Sequence, residues 1–318
     1  MKQFRFFSFL SSGLTYLLIF VGGLVRVSGA GMGCPDWPKC FGRWVPPTKI
    51  EQVPIEFIDQ FNITLAWIEY CNRLLGAVVG LTISITLFLA FKHYSHLKTI
   101  KWPVFFAFIL TLIEGWLGSV LVDTILNPIT ISLHLILALI IVMLLVYSAQ
   151  EAYYDGDNYA EQNSKYPQNI GWLFSLISIV LIIEIILGTE IRGGLEIIRK
   201  NNPIAGGDFL LRMLGPFKYM HTIFGFMIAG ISSYLWYQLV KKSSNPSTLV
   251  VQSSSGIILL IVIQIISGEM LVFFKLMPLI QLFHLWIASW ILGLLSVQYC
   301  AWKKSINRGQ INVNKKAI

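Results

Sequence analysis

The chain has 318 residues, of which 55% are hydrophobic and 13% charged, and its mean hydropathy is +0.69. This composition excludes an ordinary soluble globular protein, and the recurrent apolar runs indicate a polytopic membrane protein. The formal net charge is +8, but the basic residues lie mainly in short connections between apolar runs, where they act as topology signals. We therefore expect the lipid bilayer as a partner and no nucleic acid.

Eight segments are candidates for membrane-spanning helices, because each approaches the roughly 20 apolar residues that a span requires. The first of them follows Lys2 and Arg5 and resembles a signal peptide, but its counterpart later in the chain argues against cleavage. The sequence predicts an all-α membrane protein with eight transmembrane helices. The expected spans are about 7–27, 66–91, 102–122, 129–149, 170–190, 218–240, 252–274 and 278–301.

The distribution of basic residues predicts the orientation of these helices. Lysine and arginine occur at the N-terminus, between spans two and three, between spans six and seven, and in the C-terminal tail. With eight spans all of these segments lie on one side, although two longer loops on the opposite side also carry basic residues. We expect a multi-pass protein of the cell membrane with both termini in the cytoplasm.

The two halves of the chain repeat a pattern of polar residues and glycines in the same order. The matching sets are Gly22 and Arg26 with Gly188 and Arg192; Tyr70, Asn72 and Gly76 with Tyr219, His221 and Gly225; Glu114 and Gly118 with Gln264 and Gly268; and His134 with His284. The repeat predicts two pseudo-repeated four-helix bundles. We expect the first in residues 1–150, a cytoplasmic linker in 151–169, and the second in 170–318.

Four polar residues at repeat-related positions point to a bound haem. Asn72, His134, His221 and His284 each lie a few residues inside the outer end of a span, roughly 5–9 Å below the boundary. Polar groups at such positions usually face the bundle interior, and imidazoles on facing helices suit the axial positions of haem iron. His221 and His284 form a complete pair, whereas His134 is matched with Asn72. The sequence contains no CxxCH motif, which excludes covalent c-type attachment.

Three arginines lie at the outer ends of spans and are candidate haem-propionate ligands. Arg26, Arg73 and Arg192 offer the planar set of donors that pairs with carboxylates in a bidentate manner. The alternative is that these side chains extend to lipid headgroups. Glu69, Asn72 and Arg73 share one helical face, because their spacing is i, i+3 and i+4.

Two cysteines bracket the segment "CPDWPKC" in the first outer loop. On an oxidising face of the membrane, Cys34 and Cys40 are most simply a disulfide, with metal binding or redox exchange as alternatives. The corresponding loop of the second half, at about 191–217, contains no cysteine.

The motifs "GGLVRVSGAGMGCPDWPKC", "EYCNRLLG", "SLHL", "YMHTIFG" and "LFHLW" together resemble the haem A synthase family through all eight spans. The resemblance implies an oxidoreductase that converts the methyl group of haem O to the formyl group of haem A for terminal oxidases. It further implies substrate haem in the first bundle, haem b in the second, and haem O synthase and terminal oxidase assembly as partners.

The family's Glu-x-x-His-Arg motif is only partly present in this chain. Glu69 matches the family's catalytic acid and Arg73 its arginine, but Asn72 replaces an axial histidine. The resemblance assigns the other three ligand positions to His134, His221 and His284, and matches the outer cysteine pair to Cys34 and Cys40. Because an amide is a poor iron ligand, we expect the first haem to be held through His134 alone or capped by water.

Three other classes of protein compete with this interpretation. A di-haem b electron-transfer cytochrome would need haems near both faces, whereas the candidate ligands here share one depth. A proton-coupled transporter would place its site near the midplane, where Glu114 and Glu184 lie. A non-catalytic haem-binding assembly factor is made plausible by Asn72.

Overall fold

A computed structural model of the chain describes residues 1–156, 164–167 and 169–316, with side chains up to residue 306. Within these ranges the regular secondary structure is helical, and two isolated β-bridges occur among the loops. Residues 157–163 and 168 of the expected linker lie outside the described residues. The helices are α1 (Lys2–Ser28), α2 (Ile63–His93), α3 (Lys98–Asp123), α4 (Pro128–Gly156), α5 (Gly171–Asn201), α6 (Gly207–Met213), α7 (Phe217–Trp236), α8 (Thr248–Phe273) and α9 (Pro278–Lys316).

Eight of these helices are long and apolar enough to cross a membrane, which confirms the all-α, eight-span prediction. α6 was not expected, and α7 continues into a π-helical turn at Tyr237–Lys241. α5 runs well beyond its expected end at residue 190. The extension is rich in charged residues, but one of its faces is apolar. On this face Leu195 packs with Leu210, Leu214 and Leu276.

The turns that follow α3 and α8 have the same unusual backbone. In each turn two consecutive non-glycine residues have positive φ, a conformation that L-residues seldom adopt. A proline then begins the next helix. The corresponding residues are Ile125 and Lys275, Leu126 and Leu276, and Pro128 and Pro278, with the same spacing in every pair. This constant spacing also separates His134 from His284, so the backbone supports the repeat found in the sequence.

The chain forms two compact units, and the first part of α9 belongs to the first of them. One unit comprises Met1–Ala149 with Met277–Trp286, and the other comprises Gln150–Leu276 with the chain from Ile287. α4 extends through the start of the expected linker, to Gly156. The assignment of each four-helix bundle to one half of the chain stays a prediction.

Within the first unit, the beginning of α9 packs closely on α1. The indole Nε1 of Trp286 donates to the carbonyl oxygen of Tyr16 at 3.0 Å, and its ring lies 4.9 Å from that of Phe20. A side-chain carbon at Gly23 would lie 2.8 Å from Leu282 Cδ1, so a larger residue there would have to displace the Leu282 side chain. These contacts fix the helical turn that carries His284.

Within the second unit, polar contacts join the last turns of α4 to α9. The Gln150 amide donates to the Val297 carbonyl oxygen at 3.0 Å, and Lys304 Nζ lies 2.8 Å from the largely buried carboxylate of Glu151. The Lys304–Glu151 pair offsets the cost of placing charge in an apolar bundle.

Candidate functional site

In the first unit, a carboxylate on α3 lies against a histidine on α4. Glu114 Oε2 is 2.6 Å from His134 Nδ1, and the glutamate side chain is only 12% exposed. A neutral imidazole held at Nδ1 presents Nε2 as its free acceptor, which is the arrangement that a metal ligand requires. Gly118 lies one turn after Glu114, and a side chain there would meet nothing within 4 Å. The face of α3 beside this pair is therefore open.

The second unit contains an equivalent pair between α5 and α7. Glu184 Oε1 lies 3.0 Å from His221 Nδ1. Glycines make this approach possible, because a side-chain carbon at Gly188 would be 3.3 Å from His221 Cε1. A side-chain carbon at Gly225 would likewise be 3.3 Å from Glu184 Oε1. Alanine at Gly188 would displace the imidazole by a few tenths of an ångström, and alanine at Gly225 would displace the carboxylate similarly.

Asn72 occupies in the first unit the place that His221 occupies in the second. Gly22 is the repeat counterpart of Gly188, and a side-chain carbon at Gly22 would lie 3.8 Å from Asn72 Oδ1. This amide oxygen is buried and has no hydrogen-bond partner among the described residues. A buried acceptor of this kind requires a physical reason, such as a donor or a bound group that completes the site.

Glu69 lies one helical turn before Arg73 on α2, and its carboxylate is held from two directions. Oε2 accepts the backbone N–H of Cys34 at 2.8 Å. Oε1 accepts from Nε of Arg73 at 3.1 Å and is also bonded by Nη2 of the same guanidinium. Glu69 is 5% exposed, so these donors replace the water that it loses on burial.

The outer loop that contacts Glu69 is closed by the expected disulfide. Cys34 and Cys40 are bonded, with their Cα atoms 4.7 Å apart, and both residues are fully buried. The carboxylate of Asp36 accepts the backbone N–H groups of Phe41 at 2.6 Å and Gly42 at 2.9 Å. The prediction of a disulfide is confirmed, and the alternatives of metal binding and redox exchange are not needed to explain the pair.

The remaining predicted ligands lie at separate places. Arg26 is in the last turn of α1, and His284 is in the first part of α9. Arg192 on α5 donates from Nε to Glu196 Oε1 at 2.8 Å. The structure brings Glu69, Arg73 and Asn72 together on one stretch of α2, as their spacing predicted.

Sequence reasoning missed the role of two acids. The sequence connects Glu114 and Glu184 only with the competing transporter class, whereas each lies against a predicted histidine ligand. A signal was available, because an acid inside an apolar helix needs a partner and each unit offers a histidine.

The residues present suit a haem better than a small metal ion. Nδ1 of each of two histidines lies within 3.0 Å of a carboxylate oxygen. The second oxygens, Glu114 Oε1 and Glu184 Oε2, are buried without a hydrogen-bond partner in the described part of the chain. Glycines at Gly22 and Gly118 leave room beside the polar residues of the first unit. A flat, largely apolar group with iron at its centre matches such sites.

These features define a polytopic membrane protein with carboxylate-oriented histidines in each of its two units. The model of the COX15-CtaA family, described as cytochrome oxidase assembly protein, matches residues 5–296. The chain belongs to this family.

Curated relatives are similar to the chain over different lengths. A protein of Rickettsia prowazekii (strain Madrid E) named "Heme A synthase" is 27% identical, over 93% of this chain and 97% of its own length. Another "Heme A synthase", from Shewanella oneidensis, is 35% identical over 42% of this chain and 41% of its own. A third, from Alkalihalophilus pseudofirmus, is 32% identical over 37% of this chain and 36% of its own. The last two alignments thus cover less than half of those relatives.

Proposed function

We propose that the protein is a haem A synthase, an oxidoreductase that converts the methyl group of haem O to the formyl group of haem A for terminal oxidase assembly. The observation that carries the proposal is the pair of carboxylate-oriented histidines, His134 in one unit and His221 in the other. Two such positions match an enzyme that handles one haem as substrate and another as cofactor. The full-length relative named "Heme A synthase" supports the same reaction.

In the first unit we assign substrate binding to His134 and the catalytic role to Glu69. Glu114 lies against Nδ1 of His134, which would leave Nε2 of the imidazole to bind the substrate haem. The Glu69 carboxylate, held by Arg73 and the Cys34 N–H, is the charged group available to accept protons or stabilise positive charge at the methyl carbon. Asn72 contributes a neutral amide to the pocket wall.

In the second half of the chain we assign a resident haem b to His221, and the sequence repeat makes His284 the candidate for its second ligand. Glu184 orients His221 as Glu114 orients His134. When bound, haem b supplies one-electron redox chemistry. Arg26 and Arg192 remain candidates for binding haem propionates, since Arg26 lies in the last turn of α1 and Arg192 lies just past the expected end of the fifth span.

The proposed setting is the plasma membrane, with both termini in the cytoplasm and the disulfide loop on the outer side. Eight helices are long and apolar enough to cross a bilayer, and an even number of crossings supports termini on one side. The disulfide fits an oxidising compartment. We propose haem O synthase as the supplier of substrate and terminal oxidase assembly as the destination of the product.

The alternative is a non-catalytic haem-binding assembly factor, and Asn72 is the observation that favours it. An enzyme that needs two axial ligands on its substrate haem would be impaired by an amide at this position. The di-haem b electron-transfer cytochrome requires no substrate at all. Turnover of haem O separates both alternatives from the synthase.

The test is production of haem A in a host that supplies haem O but has no haem A synthase of its own. We expect pigment extraction followed by chromatography and mass spectrometry to detect haem A only in cells that express the chain. The control is the same host with haem O supply and an empty vector. Bound haem O without any haem A or hydroxylated intermediate would identify a binding protein instead.

A further inference from the structure

We propose that Arg73 is a positioning residue that fastens the disulfide loop, residues 33–43, to the catalytic carboxylate of Glu69. This inference rests on the proposed function, because it concerns how Glu69 is held for catalysis. It assigns Arg73 a different task from propionate binding, which its place at the outer end of a span suggested. The geometry points to a single unit made of Glu69, Arg73 and the loop.

Every donor of the Arg73 guanidinium already has an acceptor within the protein. A guanidinium has five N–H groups. Two contacts, from Nε and Nη2, go to Glu69 Oε1. Nη1 donates to the carbonyl oxygens of Asp36 at 2.7 Å and Lys39 at 2.8 Å, and Nη2 donates to that of Cys34 at 3.3 Å. A propionate could bind Arg73 only by displacing one of these acceptors.

The loop is also attached directly to Glu69 and to the backbone of α2. The N–H of Cys34 donates to the second carboxylate oxygen of Glu69. Gly33 approaches so closely that a side-chain carbon there would lie 2.4 Å from the Leu65 carbonyl oxygen and 2.9 Å from the Ala66 nitrogen. The loop backbone therefore rests on the turn of α2 just before Glu69.

The loop itself is rigid enough to transmit this attachment. The disulfide and the two hydrogen bonds to Asp36 close it, and the buried ring of Phe41 packs 5.3 Å from that of Phe61. Because Arg73 bonds three carbonyls of this loop and the Glu69 carboxylate at once, loosening the loop releases Glu69. Conversely, removing the guanidinium exposes the disulfide.

The experiment measures reduction of the Cys34–Cys40 disulfide in the full-length, membrane-embedded protein. Wild type and Arg73→Gln are treated with dithiothreitol under native conditions, and free thiols are trapped and counted by mass spectrometry. We expect reduction about tenfold faster or more in Arg73→Gln, because several charge-assisted hydrogen bonds that close the loop are lost. We also expect haem content to stay near the wild-type level while kcat falls and KM for haem O changes little.

Lys304→Gln is the matched control, because it removes a partly buried lysine–glutamate pair, with Glu151, that is distant in sequence from the loop. It should leave the rate of disulfide reduction unchanged. Arg73→Lys keeps the charge and most of the volume and should give an intermediate reduction rate, and it serves as the test where Arg73→Gln does not accumulate.

An unchanged reduction rate in both Arg73 variants would overturn the proposal. The same holds if the variants bind less haem or show a raised KM with the disulfide equally protected, since this would make Arg73 a propionate ligand. The reduction rate requires no turnover, so it stands even if the wild-type protein makes no haem A.

Discussion

The two halves of the molecule each place one histidine against a carboxylate, but they do so on different helices. In the first half the acid is Glu114 on α3 and the histidine is His134 on α4. In the second half the acid is Glu184 on α5 and the histidine is His221 on α7. The repeat in sequence has therefore kept the pairing and changed its position.

At one set of repeat-related positions the two halves differ in both the histidine and its acid. Glu184 lies one turn before Gly188, and the residue one turn before the matching Gly22 is Leu18. The first half thus lacks both the histidine, replaced by Asn72, and the carboxylate. An unpartnered acid in an apolar helix is costly, which fits the absence of the acid where Asn72 replaces the histidine. At the other repeat-related position His284 is matched with Gln264 and not with an acid.

The largest effect is expected from removing a ligand of the proposed haem b. His221→Ala and His284→Ala should each abolish the low-spin, bis-histidine signal in absorbance and electron paramagnetic resonance spectra. Each substitution leaves the iron of the proposed haem b with at most one imidazole ligand. His134→Ala is the comparison variant, because it should spare this signal and remove the first-half haem. A bis-histidine spectrum that survives in either His221→Ala or His284→Ala would refute the shared haem.

A smaller but still large effect is expected at Glu69. Glu69→Gln should lower haem A formation by about 10²–10⁴-fold, the usual contribution of a positioned acid or base, while haem O stays bound. The glutamine NH₂ would also face a donor, either Arg73 or the Cys34 N–H, so disulfide reduction should accelerate. Glu69→Asp keeps the charge and serves as the control. Haem A formation at the normal rate in Glu69→Gln would make Glu69 structural.

Much of the fold was predictable because lipid imposes a simple rule on sequence. Apolar runs of sufficient length located all eight spans, and α3 and α8 end within two residues of the expected positions. The extension of α5 was not predictable by hydropathy, since its packing on α6 through Leu195 and Leu210 depends on tertiary contacts outside the apolar run. The grouping of the first part of α9 with the first unit depends on long-range packing in the same way.

The candidate site was predictable in its residue types and less so in its contacts. Spacing alone placed Glu69, Asn72 and Arg73 on one face of α2. The partners of Arg73 were missed because they are backbone carbonyls of a loop, and a sequence does not show where carbonyls point. The Glu114–His134 contact was missed because it joins two helices whose relative rotation is set by packing.

A moderate effect is expected from the acids that orient the histidines. Glu114→Gln and Glu184→Gln should each weaken haem binding in their own half by about 10–100-fold, the usual effect of removing a carboxylate partner of a metal ligand. Glutamine can donate to Nδ1, which would move the imidazole proton to Nε2 and block ligation. Haem titration monitored by absorbance measures each affinity. Equal losses at both sites from one variant would show that the halves are not independent.

The smallest effect on haem affinity, and the sharpest test of the comparison, is expected from Asn72→His. The native first-half haem should be high-spin and should bind carbon monoxide readily, because His134 is its one expected protein ligand. Asn72→His should shift it toward low spin and slow carbon monoxide binding.

Leu18→Glu combined with Asn72→His rebuilds the second-half arrangement and should complete the shift, since the carboxylate fixes the new imidazole. Leu18→Glu alone is the control and should only destabilise, because it places an unpartnered acid beside the apolar cluster of Val79 and Ile83. If an open iron position aids the reaction, Asn72→His should lower turnover while it tightens binding. A native first-half haem that is already low-spin and inert to carbon monoxide would show that another residue supplies the sixth ligand, and the open site inferred from Asn72 would be wrong.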